Sequence, residues 1–257
     1  MEDMFMGTSG MQCEKKFLDK ACSTYKTAGS YQQQAMKDLI LRTFLPYMTN
    51  NTKSVCLSLG YAEGYEAKIL SECVKELDVI EGSQQFYEQG LEDNIANVTL
   101  HYSLFEDFIP ENNKKYDYIC ANYVLEHVEN VTIVLSSLKE MLKDDGLIFS
   151  VVPNARAFSR QLALHMGLID DLKGLTENDI NHGHRRVYDR VAFNRDLEGA
   201  GLSIIAQGGI MLKPLADFQM DKLIDTGILQ TEHLNGLYRL GMEYPDFCSA
   251  LYAICKK

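Results

Sequence analysis

Short, nearly unbroken apolar runs alternate along the chain with longer stretches in which apolar residues recur every three or four positions. The runs at about 54–59, 77–81, 97–101, 116–121 and 146–152 have strand length, and helical spacing fills about 64–75, 83–90 and 131–143 between them. Gly146 marks the turn from the last of these helices into its strand. Two further helical stretches precede the first strand, at about 12–26 and 30–47; the second opens at Ser30 and puts Met36, Leu39, Ile40, Phe44 and Leu45 on one face. Strands separated by helices in this order predict an α/β fold with a mostly parallel sheet and right-handed crossovers. Runs at about 202–210 and 248–255 add two strands as an edge pair, hairpin-like and antiparallel to the rest. The expectation is seven strands with helices on both faces.

Two segments break the rhythm. Residues 154–190 and 213–245 are too long for simple connections, so they are expected to form helical lids over the carboxyl edge of the sheet, where ligands of open α/β folds bind. The domain expectation is an N-terminal helical cap over 1–48 and one larger domain over 49–257 that carries both lids.

Composition narrows the partners. The net charge is −11, which disfavours DNA or RNA because affinity for them comes largely from Lys and Arg neutralising phosphates. No apolar run reaches the 18 residues of a membrane span, and the acidic Met1-Glu2-Asp3-Met4 start lacks the basic and apolar regions of a signal peptide. Seven cysteines, odd in number and without a C-x-x-C pair, fit a reducing cytoplasm.

The strand Val55-Cys56-Leu57-Ser58-Leu59 runs into Gly60-Tyr61-Ala62-Glu63-Gly64, and the next strand ends on Glu81. Two glycines let the backbone turn tightly beneath a ligand, and an acid about 20 residues on accepts hydrogen bonds from ribose hydroxyls. The pair predicts a nucleoside cofactor. A dinucleotide is disfavoured, because Gly60-x-Ala62-x-x-Tyr65 lacks the second and third glycines of that fingerprint.

Four stretches then carry a more specific likeness: Val55 to Gly64; Asp78-Val79-Ile80-Glu81-Gly82-Ser83; Tyr116 to Val128, with Leu125-Glu126-His127-Val128 at its end; and Gly146 to Asn154, ending Val152-Pro153-Asn154. In order and spacing, over roughly residues 50–210, they resemble the class I S-adenosylmethionine-dependent methyltransferases, which have a Rossmann-like fold. Gly183-His184-Arg185-Arg186-Val187-Tyr188 is similar to the subgroup that modifies products of biosynthetic pathways. The family usually has an acid where this chain has Ser58, and a glycine where it has Ala62.

The resemblance implies that Gly60, Tyr61, Ala62 and Gly64 lie beneath the methionine and ribose portions of S-adenosylmethionine, with Glu81, Gly82 and Ser83 at the ribose. It puts Leu104 and Phe105 beside the adenine, and Asn122 and Tyr123 near the methionine tail. Each has a plainer reading, as a solvated strand end, core or loop aromatic.

Methyl transfer is one displacement on an already activated group, so the protein mainly aligns donor and acceptor. A hydroxyl acceptor needs a general base, for which His127, His182 and His184 are candidates; a carboxylate needs only cations to position it. Arg156, Arg160, Arg185 and Arg186 gather in the first lid, and guanidinium groups bind carboxylates in bidentate fashion. Their competing role is to pair with Asp170, Asp171, Glu177 or Asp179. Tyr25 and Tyr31 either close over the site or belong to a helix face. No metal is expected, since His182-x-His184 has no third ligand at sequence spacing.

The functional expectation is O-methylation of a carboxylate, on a small acid or a peptide C-terminus, in a biosynthetic pathway. A sugar or other small-molecule hydroxyl or amine, and a non-catalytic protein on the same fold, are the alternatives. Expected partners are a small-molecule or peptide substrate, with neither nucleic acid nor membrane; the 213–245 insertion offers a surface for a homodimer.

Overall fold

A computed structural model describes residues 14–16, 18–19, 31–49, 53–108 and 113–257. It contains α1 (Tyr31–Phe44), β1 (Val55–Leu59), α2 (Tyr65–Cys73), β2 (Glu76–Glu81), α3 (Gln84–Asp93), β3 (Val98–Tyr102) and β4 (Tyr116–Asn122). These are followed by α4 (Val131–Met141), β5 (Leu142–Pro153), α5 (Phe158–His165), α6 (Glu177–Asn181), α7 (Arg190–Gly199), β6 (Ser203–Ile210), α8 (Asp217–Asp225), α9 (Thr231–Glu243) and β7 (Ala250–Lys256).

The strands form one sheet in the order β3-β2-β1-β4-β5-β7-β6. β1, β2, β4 and most of β5 are apolar and buried because helices cover both faces, which is why they read as continuous runs. β3 and β6 are the edges, and their burial alternates accordingly. β7 is antiparallel to both β5 and β6, which leaves β6 running with the other five strands. The expected antiparallel pair is present, with β7 as its one reversed member, inserted between β5 and the edge.

Each sheet face has its own core. On one, Cys56, Val79, Tyr118 and Phe149 meet Leu39, Ile40 and Phe44 of α1, Ala67 and Leu70 of α2, and Met220, Leu234 and Tyr238 of α8 and α9. Phe44 stacks on Phe149 with ring centroids 4.8 Å apart. The helices of the 213–245 insertion therefore cover a sheet face beside α1. On the other face, Val131, Val134, Leu135 and Leu138 of α4 join Phe193 and Leu197 of α7 against Leu57, Ile119 and Ile148.

Chain direction positions the site. β1 leads into α2 on the first face and β4 leads towards α4 on the second, so a crevice opens between the carboxyl ends of β1 and β4. Among the described residues no helix is long and apolar enough to cross a membrane. The predicted helix at 12–26 falls largely outside the described residues, as do Tyr25 and the side chain of Tyr31.

Candidate functional site

At the end of β1 the backbone enters the left-handed region three times in five residues, at Gly60 (φ +90), Ala62 (φ +48) and Gly64 (φ +75). A side chain at Gly60 would meet nothing within 4 Å, so this glycine leaves open space above the turn. Gly64 is confined: an added Cβ would lie 2.6 Å from the Tyr61 hydroxyl. Tyr61 itself is buried, and its hydroxyl donates to Asp93 on α3, so its ring braces the turn from behind. Its backbone is what faces Glu81.

Glu81 organises the cradle. Its Oε2 accepts the N–H groups of Tyr61 (2.8 Å) and Ala62 (3.3 Å), and its Oε1 accepts that of Ser83 (2.7 Å). Burial raises its pKa, while the same N–H groups favour the charged form. Ser83 caps α3 and also donates to Asp19 at 2.8 Å. Leu104 lies against Gly82, where an added Cβ would be 3.3 Å from its Cδ2, and Phe105 packs at the border of the second core. A turn with open space above one glycine, a carboxylate at its lip and apolar cover beyond suits an adenosine group.

The end of β4 supplies the rest of the crevice. The Asn122 side-chain amide donates to Glu66 in the first turn of α2, and its Oδ1 is buried without a hydrogen-bond partner. Glu66 is half-buried; burial pushes its pKa up to about 7 against the opposing influence of Asn122 and Lys37. Tyr123 follows with φ +55 and donates its N–H to Val151. Ser58 is buried in β1 beside Cys120 of β4.

Beyond this turn a second group of side chains converges. Glu126 is 1% exposed, and among the described residues neither of its oxygens has a hydrogen-bond partner. Burial pushes its pKa up to about 8. The His127 Nε2 lies 3.9 Å from Glu126 Oε1, and its ring meets that of His184 edge to face at 4.8 Å between centroids. Burial, together with neighbouring His184, pushes His127 down to about 3, so its imidazole is neutral at physiological pH. Ligand atoms of Glu126, His127 and His184 lie within 4.8 Å of one another, a grouping that would accept a divalent cation. Sequence spacing gives no hint of it, because the connection across the two segments is tertiary: the Arg185 N–H donates to the Glu126 carbonyl at 2.7 Å.

Behind His184 stands Asp179. Its Oδ1 lies 3.3 Å from His184 Nδ1, within ion-pair range but without hydrogen-bond alignment. Its Oδ2 accepts from Thr176 and from Arg160. Burial opposes the charge, but contacts from His184, Thr176 and Arg160 hold Asp179 well below the usual carboxylate range. Thr176 and Asp179 are also the capping box of α6, so the helix start fixes the carboxylate. Asp179, Glu126 and Glu66 were not among the predicted site residues. The Thr176-x-x-Asp179 box and the Leu125-Glu126-His127-Val128 stretch were the signals readable from sequence.

The other predicted residues scatter. His182 Nδ1 is 2.8 Å from the Asn178 carbonyl, and its ring is 6.3 Å from that of His184. Arg160 donates to the carbonyls of Leu172 and Gly174. Arg186 donates to those of Leu125, Val128 and Glu129. Arg185 bonds the His127 carbonyl and Glu14, and Arg156 is exposed. Three of the four arginines thus tie the 154–190 segment to itself and to the turn after β4.

Comparison with known proteins agrees with this geometry. The family model described as a methyltransferase domain matches residues 28–207. The ubiquinone biosynthesis O-methyltransferase of Glaesserella parasuis is 30% identical over 99 residues, which is 37% of this chain and 42% of that protein. The match thus spans less than half the length of that curated relative. A methyltransferase from Mesorhizobium loti, described as S-adenosylmethionine-dependent, has the same fold with a TM-score of 0.59 at 12% identity, covering 85% of this chain and 98% of its own. The complex of DhpI with S-adenosylhomocysteine gives 0.58 at 12% identity and 96% of each chain. With the glycine turn, the Glu81 cradle and the crevice in place, this chain belongs to the methyltransferase-domain family.

Proposed function

We propose that the protein methylates a hydroxyl oxygen of a small organic acceptor, with His184 as general base and Asp179 as the group that orients it. The observation that carries this reading is the Asp179–His184 pair, set beside His127 and Glu126 just beyond the β4 end of the cofactor crevice.

The bound cofactor supplies an electrophilic methyl group. His184 presents Nδ1 to the Asp179 carboxylate, which leaves Nε2 to take the hydroxyl proton as the oxygen becomes nucleophilic. Asp179 keeps its negative charge beside the ring. His127, kept neutral by burial, adds no competing positive charge, and Glu126 titrating at about 8 remains largely uncharged at pH 7.

A carboxylate acceptor has less support. It was suggested by the arginine cluster, yet Arg160, Arg185 and Arg186 spend donors on backbone carbonyls and nearby carboxylates, leaving the exposed Arg156. The name of the Glaesserella relative, an O-methyltransferase of ubiquinone biosynthesis, points in the same direction as the base.

The test is a turnover screen of phenols, catechols, alcohols and carboxylates, read as S-adenosylhomocysteine formed, with His184→Gln and Asp179→Asn alongside wild type. Each substitution is expected to lower kcat about 100-fold, the contribution of one positioned base, without weakening S-adenosylhomocysteine binding. Turnover of carboxylates alone, or full kcat in His184→Gln, would retire the proposal.

A further inference from the structure

Four carboxylates border the glycine turn, and their partners differ. Asp93 accepts from the Tyr61 hydroxyl and pairs with Lys68. Glu63 is ion-paired with Lys37 of α1. Glu81 is taken up by three backbone N–H groups. Glu66 receives one neutral donor, the Asn122 amide, and lies in the electrostatic reach of Lys37, which is itself bonded to Glu63. Among the described residues the remaining neighbours bring it no positive charge. Cys120 of β4 and Tyr123 after it both feel the Glu66 charge, and both have raised pKa values, so they remain protonated and neutral. Ser58, beside Cys120 in the sheet, carries no charge either.

Asn122 adds to the imbalance. Because its amide nitrogen faces the Glu66 carboxylate, its Oδ1 is fixed as an acceptor, and that oxygen is buried with no donor among the described residues. The floor of the crevice between β1 and β4 therefore holds a carboxylate and a carbonyl oxygen with acceptor capacity in excess of donors. Burying such groups without compensation is costly, and the complement is a compact cation with several N–H donors. The cofactor of this family carries one such group, the α-ammonium of its amino-acid tail.

We infer that Glu66, together with the side-chain oxygen of Asn122, is the receptor for the α-ammonium group of the cofactor. In this chain the anionic contact to the tail comes from the first turn of α2, two residues beyond Gly64, while Ser58 at the end of β1 supplies no charge. The ionised form of Glu66 is the receptor, so affinity is lost as pH falls through about 7, and below that pH binding drives a proton off the carboxyl.

The experiment is calorimetric titration of wild type and Glu66→Gln with S-adenosylmethionine, S-adenosylhomocysteine and 5′-methylthioadenosine, which keeps the adenosine thioether and lacks the amino-acid tail. Glutamine preserves the shape and the hydrogen bond to Asn122. The expected result is a loss of about tenfold or more in affinity for both tailed ligands, ~1.4 kcal/mol, with methylthioadenosine within about twofold of wild type. At pH 6, titrations in buffers of different ionisation heat should show wild type releasing roughly half a proton per S-adenosylhomocysteine bound for a tenfold linkage, and Glu66→Gln releasing none. Equal weakening of all three ligands would mean that Glu66 only shapes the turn. A loss confined to S-adenosylmethionine would assign the carboxylate to the sulfonium instead, and unchanged affinities would dismiss it as a receptor; each of these overturns the inference. Methylthioadenosine binding by wild type reports on the adenosine cradle separately.

Discussion

Replacing Glu126 with glutamine should change how stability depends on pH. Glu126 is 1% exposed, among the described residues neither of its oxygens has a hydrogen-bond partner, and burial pushes its pKa up to about 8. Below the unfolded value, near 4.5, the carboxyl is protonated in both states and contributes no slope. Above it the unfolded chain releases the proton while the fold retains it, so stability falls with rising pH until the folded carboxyl also ionises at about 8. At about 1.36 kcal/mol for each pH unit of that interval, wild type should lose roughly 3 kcal/mol between pH 5 and pH 8 through this one group. Glutamine cannot titrate. Its unpartnered amide imposes an offset of about 1–3 kcal/mol that is the same at every pH, so the offset and the slope separate. Urea unfolding followed by circular dichroism at pH 5, 6, 7 and 8 measures both, and the difference between variant and wild type should shift in favour of the variant by about 3 kcal/mol across the series. Parallel curves would refute the reasoning. A wild-type curve that stays flat until a chelator is added would place a divalent cation among Glu126, His127 and His184, holding the carboxylate charged.

Glu81→Gln removes the acceptor for at least one of three backbone N–H groups, so it should cost about 2 kcal/mol of stability in thermal unfolding and weaken S-adenosylhomocysteine at least tenfold by calorimetry. Arg186→Met strips donors from the carbonyls of Leu125, Val128 and Glu129 and should cost about 2–4 kcal/mol in urea unfolding; a change below about 0.5 kcal/mol would mean that water replaces the guanidinium without penalty.

What the sequence discloses depends on how far apart the cooperating residues lie. The strands at 54–59, 77–81 and 116–121 are found within a residue or two, because their apolar runs are buried by helices on both sides. The Lys143-Asp144-Asp145 extension of β5 is missed, since its exposed polar residues satisfy a helix end equally well. Gly60, Gly64 and Glu81 are legible because one turn and the neighbouring strand tip bring them together, and the acid is needed by the turn itself. Glu126 and His184 meet through a tertiary contact 58 residues long, which no local pattern encodes. For a related reason a sequence displays guanidinium donors but not the carbonyls of Leu125, Gly174 and Glu129 that accept from them.

The cofactor crevice and the histidine cluster are also joined from outside the sheet. The described residues between Glu14 and Asp19 are helical, and they touch both ends. Asp19 accepts from Ser83 Oγ and from the Gln84 N–H, both at 2.8 Å, and so binds the N-terminus of α3 next to Glu81. Leu18 sits over Gly82, and Lys15 lies over the Tyr102 ring at 3.6 Å. At the other end Glu14 pairs with Arg185, whose backbone N–H holds Glu126 and whose guanidinium holds the His127 carbonyl. The Glu14–Arg185 pair is about one-third exposed on both sides, so solvent screens it and its worth is about 0–1 kcal/mol. Asp19 makes the firmer attachment, because it accepts several hydrogen bonds at a positive helix end. The segment is therefore held more strongly at the cofactor side than at the histidine side.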